Sequence, residues 1–275
     1  MAKVWFVTGS SRGLGRKIAE TALDAGDSVV ATARKVEDLS ALVDKHADRV
    51  LPLALDVTDI DAVHRAVKIG HERFGQYDVV VNNAGYGNTA AVEDMTIEDF
   101  RAQVDTNFFG VVYVTKAMIP ILREQGSGHI FQVSSIGGRI GSVGLSAYQS
   151  AKWAVGGFST SVAQEVAPFG VKVTILEPGG MRTDWAGASM SIPPISAPYQ
   201  QTVGLFAQML RDLTGNEVSD PVKVAQVILD IANRPDAPLH LLLGTDAVQY
   251  AGAAAKALAE SDALWRDLSV SVAVD

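Results

Sequence analysis

Val4-Trp5-Phe6-Val7-Thr8-Gly9-Ser10-Ser11-Arg12-Gly13-Leu14-Gly15 is the stretch that decides the fold. A short apolar run without polar alternation reads as a strand covered on both faces. It ends in a turn with three glycines, and helical spacing follows over about Leu14–Ala25. Glycine tolerates positive φ and lets the backbone come close to an anion. A helix starting at Gly13 aims its free N–H groups at the same point. Gly9, Ser11, Gly13, Leu14 and Gly15 are therefore candidate contacts for a dinucleotide at its pyrophosphate, and Arg12 in the same loop is a cation for a 2′-phosphate. Their G-x-x-x-G-x-G spacing differs from the G-x-G-x-x-G fingerprint, so the loop alone leaves the ligand open.

The same rhythm repeats downstream. Apolar runs at Ser28–Ala33, Val50–Leu55, Val79–Asn82, His129–Ser134, Val171–Leu176 and Leu239–Leu243 alternate with helical stretches. Those stretches are Val36–His46, Ile60–Phe74, Ile97–Leu122, Ala147–Phe169 and Pro221–Asn233. Such alternation implies an α/β fold, a Rossmann-like, doubly wound parallel sheet of about seven strands. We expect one domain over residues 1–275, with residues 180–213 inserted as a lid before the last helix–strand unit. Residues 247–275 read as a C-terminal helix and tail. In such sheets ligands bind at the carboxyl ends of the strands, which here are Thr8–Gly15, Asn82–Gly85 and Ser134–Gly138.

Composition narrows the field. The chain is 48% hydrophobic and 20% charged, with a net charge of −8. An acidic balance disfavours nucleic acid, whose phosphates need a basic surface. There is no cysteine, so thiolate chemistry and disulfides are excluded. No run approaches the ~20 apolar residues of a membrane span, and the N-terminus reads as a strand rather than a signal peptide. A soluble, cytoplasmic protein is the default expectation. The five histidines show no ligand spacing, so no metal site is expected, and they read as surface or strand residues.

Tyr148 and Lys152 stand at i and i+4 on a helix and so share one face. Ser135, thirteen residues earlier, ends an apolar strand, and the link Gly137-Gly138-Arg139-Ile140-Gly141-Ser142 is flexible enough to fold back. A phenol near an ammonium is a proton donor of adjustable pKa, and a hydroxyl beside it can hold a carbonyl or alkoxide oxygen.

Together with Asn82-Asn83-Ala84-Gly85 and Asn107, these motifs resemble the short-chain dehydrogenase/reductase family over about Ala2–Gly244. The resemblance implies an oxidoreductase that moves a hydride between a nicotinamide and a carbonyl/alcohol pair. It implies catalytic roles for Asn107, Ser135, Tyr148 and Lys152, with Lys152 also on the nicotinamide ribose and Asn107 on a water-linked proton path. It assigns Asp56 and Val57 to the adenine, Asn83, Ala84 and Gly85 to the adenine ribose, and Pro178, Gly179 and Thr183 to the carboxamide. The second strand ends in Ala33-Arg34-Lys35 rather than in an acidic residue. Cations there suit a 2′-phosphate, so the chain resembles the NADP-preferring branch and NADP(H) is expected over NAD(H). A G-x-x-G-x-x-G epimerase loop is missing. An NAD-dependent alcohol dehydrogenase and a non-catalytic dinucleotide-binding regulator stay open. Leu242-Leu243-Gly244-Thr245-Asp246-Ala247 is loosely similar to the end of hydroxysteroid and retinol dehydrogenases. Family members pair through the long helices, which implies a homodimer or homotetramer. The 180–213 segment, with Met181, Trp185, Met190, Ile192, Ile195, Tyr199, Leu205, Phe206 and Met209, is expected to wall a hydrophobic small-molecule substrate. Its prolines and lack of sheet pairing are expected to leave it few fixed contacts.

Overall fold

Strand β1 (Val4–Val7) is buried along its whole length, and its side chains alternate between two cores. Trp5 and Val7 join Ile18, Leu23, Val224 and Ile228 on one face. Val4 and Phe6 join Val63, Met118, Leu122 and Val162 on the other. This is the period-2 consequence of a strand with helices on both sides. The computed structural model describes residues 2–185 and 190–274.

The chain continues through α1 (Gly13–Asp24), β2 (Ser28–Ala33), α2 (Ser40–His46), β3 (Val50–Ala54), α3 (Ile60–Phe74) and β4 (Val79–Asn82). Then come α4 (Ile97–Val104), α5 (Gly110–Gln125), β5 (Gly128–Val133), α6 (Ser146–Val166) and β6 (Val171–Pro178). The last elements are α7 (Leu205–Leu213), α8 (Pro221–Ala232), β7 (His240–Leu243), α9 (Thr245–Leu264) and α10 (Arg266–Val270). All seven strands lie in one parallel sheet of order β3-β2-β1-β4-β5-β6-β7. The order reverses between β1 and β4, which opens the ligand crevice expected of a Rossmann-like sheet. Among the described residues no helix is long and apolar enough to cross a membrane.

Local chemistry explains the sharpest boundaries. Asp59 caps α3 by accepting from Ala62 N at 2.9 Å, and Gly75 ends it in the left-handed region at φ +80°. Asp220 caps α8 ahead of Pro221, whose missing N–H suits a first helical position. The stretch Ile97–Leu122, read from sequence as one helix, is interrupted. Asp105–Phe109 forms a wide π-helical turn centred on the buried Asn107, and such turns recur at functional sites.

Of the five histidines, His46 and His129 are buried in the structure. On β5, His129 stacks on Phe131 and shares a 2.9 Å contact with Thr174 Oγ1, which itself donates to Pro238 O. Thr174 must therefore accept from His129, which places a proton on Nε2. Burial pushes its pKa down to about 3. The unfolded chain binds this proton near pH 6.5 and the folded chain does not, so stability is intact above that pH and falls as pH drops toward 3. Urea unfolding from pH 7 to 5 should lose up to about 1.4 kcal/mol per pH unit from this group. His129→Gln should flatten that slope; an unchanged slope would remove His129 as its source.

Candidate active site

The glycine turn is built by close backbone approach. A Cβ on Gly9, at φ +69°, would sit 3.0 Å from Ala84 Cα, and one on Gly15 would sit 2.3 Å from Gly9 O and from Asn83 Nδ2. Neither position has room for a side chain. Thr8, which sequence reasoning passed over, ties the two loops together. Its buried Oγ1 donates to Val81 O at 3.3 Å and accepts from Asn83 N and Ala84 N at 2.9 and 3.0 Å. Asn83 Nδ2 returns to Thr8 O and Gly9 O at 2.9 and 3.2 Å. Asn82 points instead into the sheet, onto Thr115 and Gln132.

The cations lie in the open. Arg12 sits at the N-cap of α1, and both Arg12 and Arg34 are exposed. Among the described residues neither side chain has a hydrogen bond or ion pair. Ser11 and Leu14 flank the turn, and Leu14 is buried against the core. Asp56 Oδ1 accepts from Thr58 N and Oγ1 at 2.9 and 2.8 Å, so the residue shapes the turn after β3. Val57 beside it is buried. The cleared backbone at Gly9 and Gly15, the helix N-terminus and the unpaired cations fit a dinucleotide diphosphate.

Across the crevice, Pro178 ends β6. Gly179 N donates to Leu243 O at 2.9 Å, and Gly180 N donates to Asp246 Oδ2 at 2.7 Å. A Cβ on Gly179 would lie 2.2 Å from the Asp246 carboxylate. Asp246 was read only as part of a terminal motif; here it fixes the turn. Thr183 faces the glycine loop, 3.8 Å from the Cβ position of Gly13.

Tyr148 and Lys152 are 8% and 4% exposed on α6, with the ammonium 5.6 Å from the phenol ring centre. Lys152 Nζ donates to Val133 O at 2.7 Å, at the end of β5. Burial pushes the Lys152 pKa down to about 8 and the Tyr148 pKa up to about 12; the Ser135 hydroxyl nearby opposes the latter. Ser135 Oγ accepts from Gly137 N at 3.0 Å and so opens a 3₁₀ turn, whereas Ser134 Oγ donates to Lys152 O at 3.1 Å. Asn107 spends its amide on Tyr86, accepting from its N–H at 3.0 Å and donating to its carbonyl at 2.8 Å. Gly85 borders both groups: its Cβ position is 2.4 Å from Asn107 Oδ1 and 3.7 Å from Lys152 Nζ. The structure thus brings Asn107, Ser135, Tyr148 and Lys152 around one end of β5.

The 180–213 segment is better tied down than its sequence implies. Ser191 pairs with Asn88, and Thr89 N donates to Ser191 O at 3.0 Å. Ser196 N donates to Asp94 at 2.9 Å and Tyr199 OH to Glu93 at 2.7 Å. These side chains lie about a hundred residues away, so local pattern could not reveal them. Trp185 packs on Tyr148 with ring centres 5.0 Å apart, in space left by Gly87. Leu205 and Met209 face outward rather than toward the site. Residues 186–189 of the segment lie outside the described residues.

A doubly wound sheet with a glycine cradle on one lip and a buried Tyr/Lys pair beside a serine on the other defines a dinucleotide-fold oxidoreductase. The sequence model of the short chain dehydrogenase family matches residues 3–191. The chain is 64% identical to oxidoreductase BOA17 of Botryotinia fuckeliana over 274 residues, covering 99% of this chain and 100% of that one. A short-chain dehydrogenase structure from Streptomyces avermitilis superposes with a TM-score of 0.93 at 37% identity, covering 99% of this chain and 100% of the other. An alcohol dehydrogenase from Thermococcus sibiricus, complexed with 5-hydroxy-NADP, superposes at 0.74 with 26% identity, covering 89% and 97%. The chain belongs to the short-chain dehydrogenase family and is an oxidoreductase of that family.

Proposed function

We propose that this chain is an NADP(H)-dependent oxidoreductase that interconverts a carbonyl and an alcohol on a hydrophobic small molecule. The observation that carries the chemistry is the buried Tyr148–Lys152 pair with the half-buried Ser135 beside it at the crevice. When bound, the nicotinamide supplies or accepts the hydride. Gly9, Gly13 and Gly15, with the α1 N-terminus, hold the diphosphate; Asp56 and Val57 border the adenine, and Asn83–Gly85 the adenine ribose. Pro178, Gly179 and Thr183 face the carboxamide, and Lys152 the nicotinamide ribose.

Ser135 holds the substrate oxygen, and Tyr148 gives it a proton in reduction or takes one in oxidation. A phenol raised by burial stays protonated at neutral pH, which suits a donor. The Lys152 ammonium beside it favours the phenolate when the proton leaves. Burial brings that ammonium near its own titration range, so its help fades above about pH 8. The Asn107 side chain is committed to Tyr86. Its part in a proton path therefore runs through its main chain, in the π-helical turn.

NADP(H) is preferred over NAD(H) because Arg12 and Arg34 are exposed cations and β2 ends in Ala33 with no acid to repel a phosphate. Trp185 against Tyr148 and Met190 on Thr89 favour an apolar substrate. Exposed Phe109, Trp153 and Phe169, on or beside α5 and α6, favour a homodimer or homotetramer.

NADPH oxidation against a panel of ketones, aldehydes and quinones tests the reaction. Tyr148→Phe should keep NADPH binding and lose about 10²–10⁴ in turnover; parental turnover would sink the mechanism. NADPH should bind more tightly than NADH, and Arg34→Asp should reverse the order by removing attraction and adding repulsion. Equal affinities in the parent would refute the cofactor preference. Light scattering should give a multiple of 29.1 kDa, and a mass of one chain would refute pairing.

A further inference from the structure

β5 and β6 stay paired as far as Val133 and Leu176, and the last backbone bond between them runs from Ser134 N to Leu176 O at 2.8 Å. Beyond it the chains part. One carries Ser135 into its 3₁₀ turn, and the other carries Glu177 into the Pro178–Gly179 turn. A side-chain bond takes over where the ladder stops. Arg139 Nε and Nη2 donate to Glu177 Oε1 and Oε2 at 2.8 and 2.6 Å. This is the two-pronged geometry that makes guanidinium–carboxylate pairs strong and directional. The Glu177 side chain is 4% exposed and that of Arg139 35%. A carboxylate buried this far needs its partner.

Arg139 also closes the turn that Ser135 opens. Gly137 N donates to Ser135 Oγ at 3.0 Å, Gly138 N to Ser135 O at 2.9 Å and Arg139 N to Ile136 O at 2.9 Å. The turn is therefore hydrogen-bonded from the hydroxyl to the guanidinium-bearing residue. His240 Nδ1 lies 3.1 Å from Glu177 Oε1, but it reaches in from β7 and belongs to no part of this turn.

We infer that Arg139 is a positioning residue: its grip on Glu177 fixes the Ser135 hydroxyl against Tyr148 where β5 and β6 separate. This rests on the roles proposed above for Ser135 and Tyr148. The groups facing the phenol are Lys152 from α6, Ser135 from the turn and Trp185 from the segment after β6. Of these, Ser135 works against the upward push of burial on Tyr148. A loosened Ser135 should therefore leave the phenol harder to ionise.

The test compares parent, Arg139→Ala, Arg139→Lys, Glu177→Gln and His240→Ala in NADPH-dependent ketone reduction and in alcohol oxidation across pH. Arg139→Ala and Glu177→Gln should lose about tenfold or more in kcat, with NADPH affinity within about threefold, since Gly179 and Gly180 keep Leu243 and Asp246. Their oxidation profiles should shift to higher pH. Arg139→Lys should recover part of the rate, and His240→Ala should behave as the parent. Parental kcat and pH profile in Arg139→Ala and Glu177→Gln would overturn the inference. So would losses in melting temperature, rate and NADPH affinity together with an unmoved pH profile, the pattern of a merely structural pair. Should Arg139→Ala fail to fold, Arg139→Lys and Glu177→Gln carry the same comparison. A parent inactive on every carbonyl would instead defeat the proposed function. Hydrogen exchange over residues 135–142, which should speed up in Arg139→Lys, would then decide the role of Arg139.

Discussion

The Thr8 hydroxyl is the small contact on which the crevice depends. β1 and β4 are neighbours in the sheet, yet the chain leaves them for opposite purposes, one into the glycine turn and the other into Asn83–Gly85. Nothing in the ladder itself would keep these exits together. Thr8 Oγ1 does so by serving Asn83 N, Ala84 N and Val81 O from a buried position. An unpaired buried amide costs roughly 1–3 kcal/mol, so the three bonds favour this one arrangement. Asn83 completes the link from the other side, and the glycines at 9 and 15 follow from it, because Ala84 Cα crowds the Cβ position of the first and Asn83 Nδ2 fills that of the second.

The second lip is organised by burial of charge. Lys152 and Tyr148 are both withdrawn from water, and desolvation favours the neutral form of each: it lowers the lysine and raises the phenol. The two shifts bring the neutral and charged forms of the lysine close in energy near neutral pH, while the phenol keeps its proton. An isolated ammonium at this depth would be costly. It is retained because the Val133 carbonyl accepts from it at 2.7 Å. The same carbonyl fixes its direction, so the electrostatic demand of burial also aims the lysine.

Much of this was legible from residues alone because it is local. Continuous Val/Ile runs marked strands buried on both faces, and all seven lie where the runs do. Asp59 and Gly75 delimit α3 at the residues sequence assigned to it. The illegible parts are those set by partners far along the chain. The π-helical turn at Asp105–Phe109 interrupts an unbroken helical period, and the side chain at its centre bonds to Tyr86, twenty-one residues away. Asp246 reaches back sixty-six residues to Gly180. His129 opens a run read as a covered strand, but its partner Thr174, and Pro238 behind it, lie 45 residues or more away.

The same distinction separates reaction from substrate. The residues proposed for the chemistry stand within eighteen residues of one another, from Ser135 to Lys152, on a strand exit, a turn and one helix. Their geometry follows from backbone rules that many sequences satisfy. The wall proposed for the substrate comes from the segment after β6, whose residues 191–199 are held by Asn88, Thr89, Glu93 and Asp94. None of those contacts involves the turn that carries Ser135. Substrate choice is therefore free to vary while the chemistry stays fixed. This is the physical reason that a motif spacing can define the reaction class and leave its carbonyl unnamed.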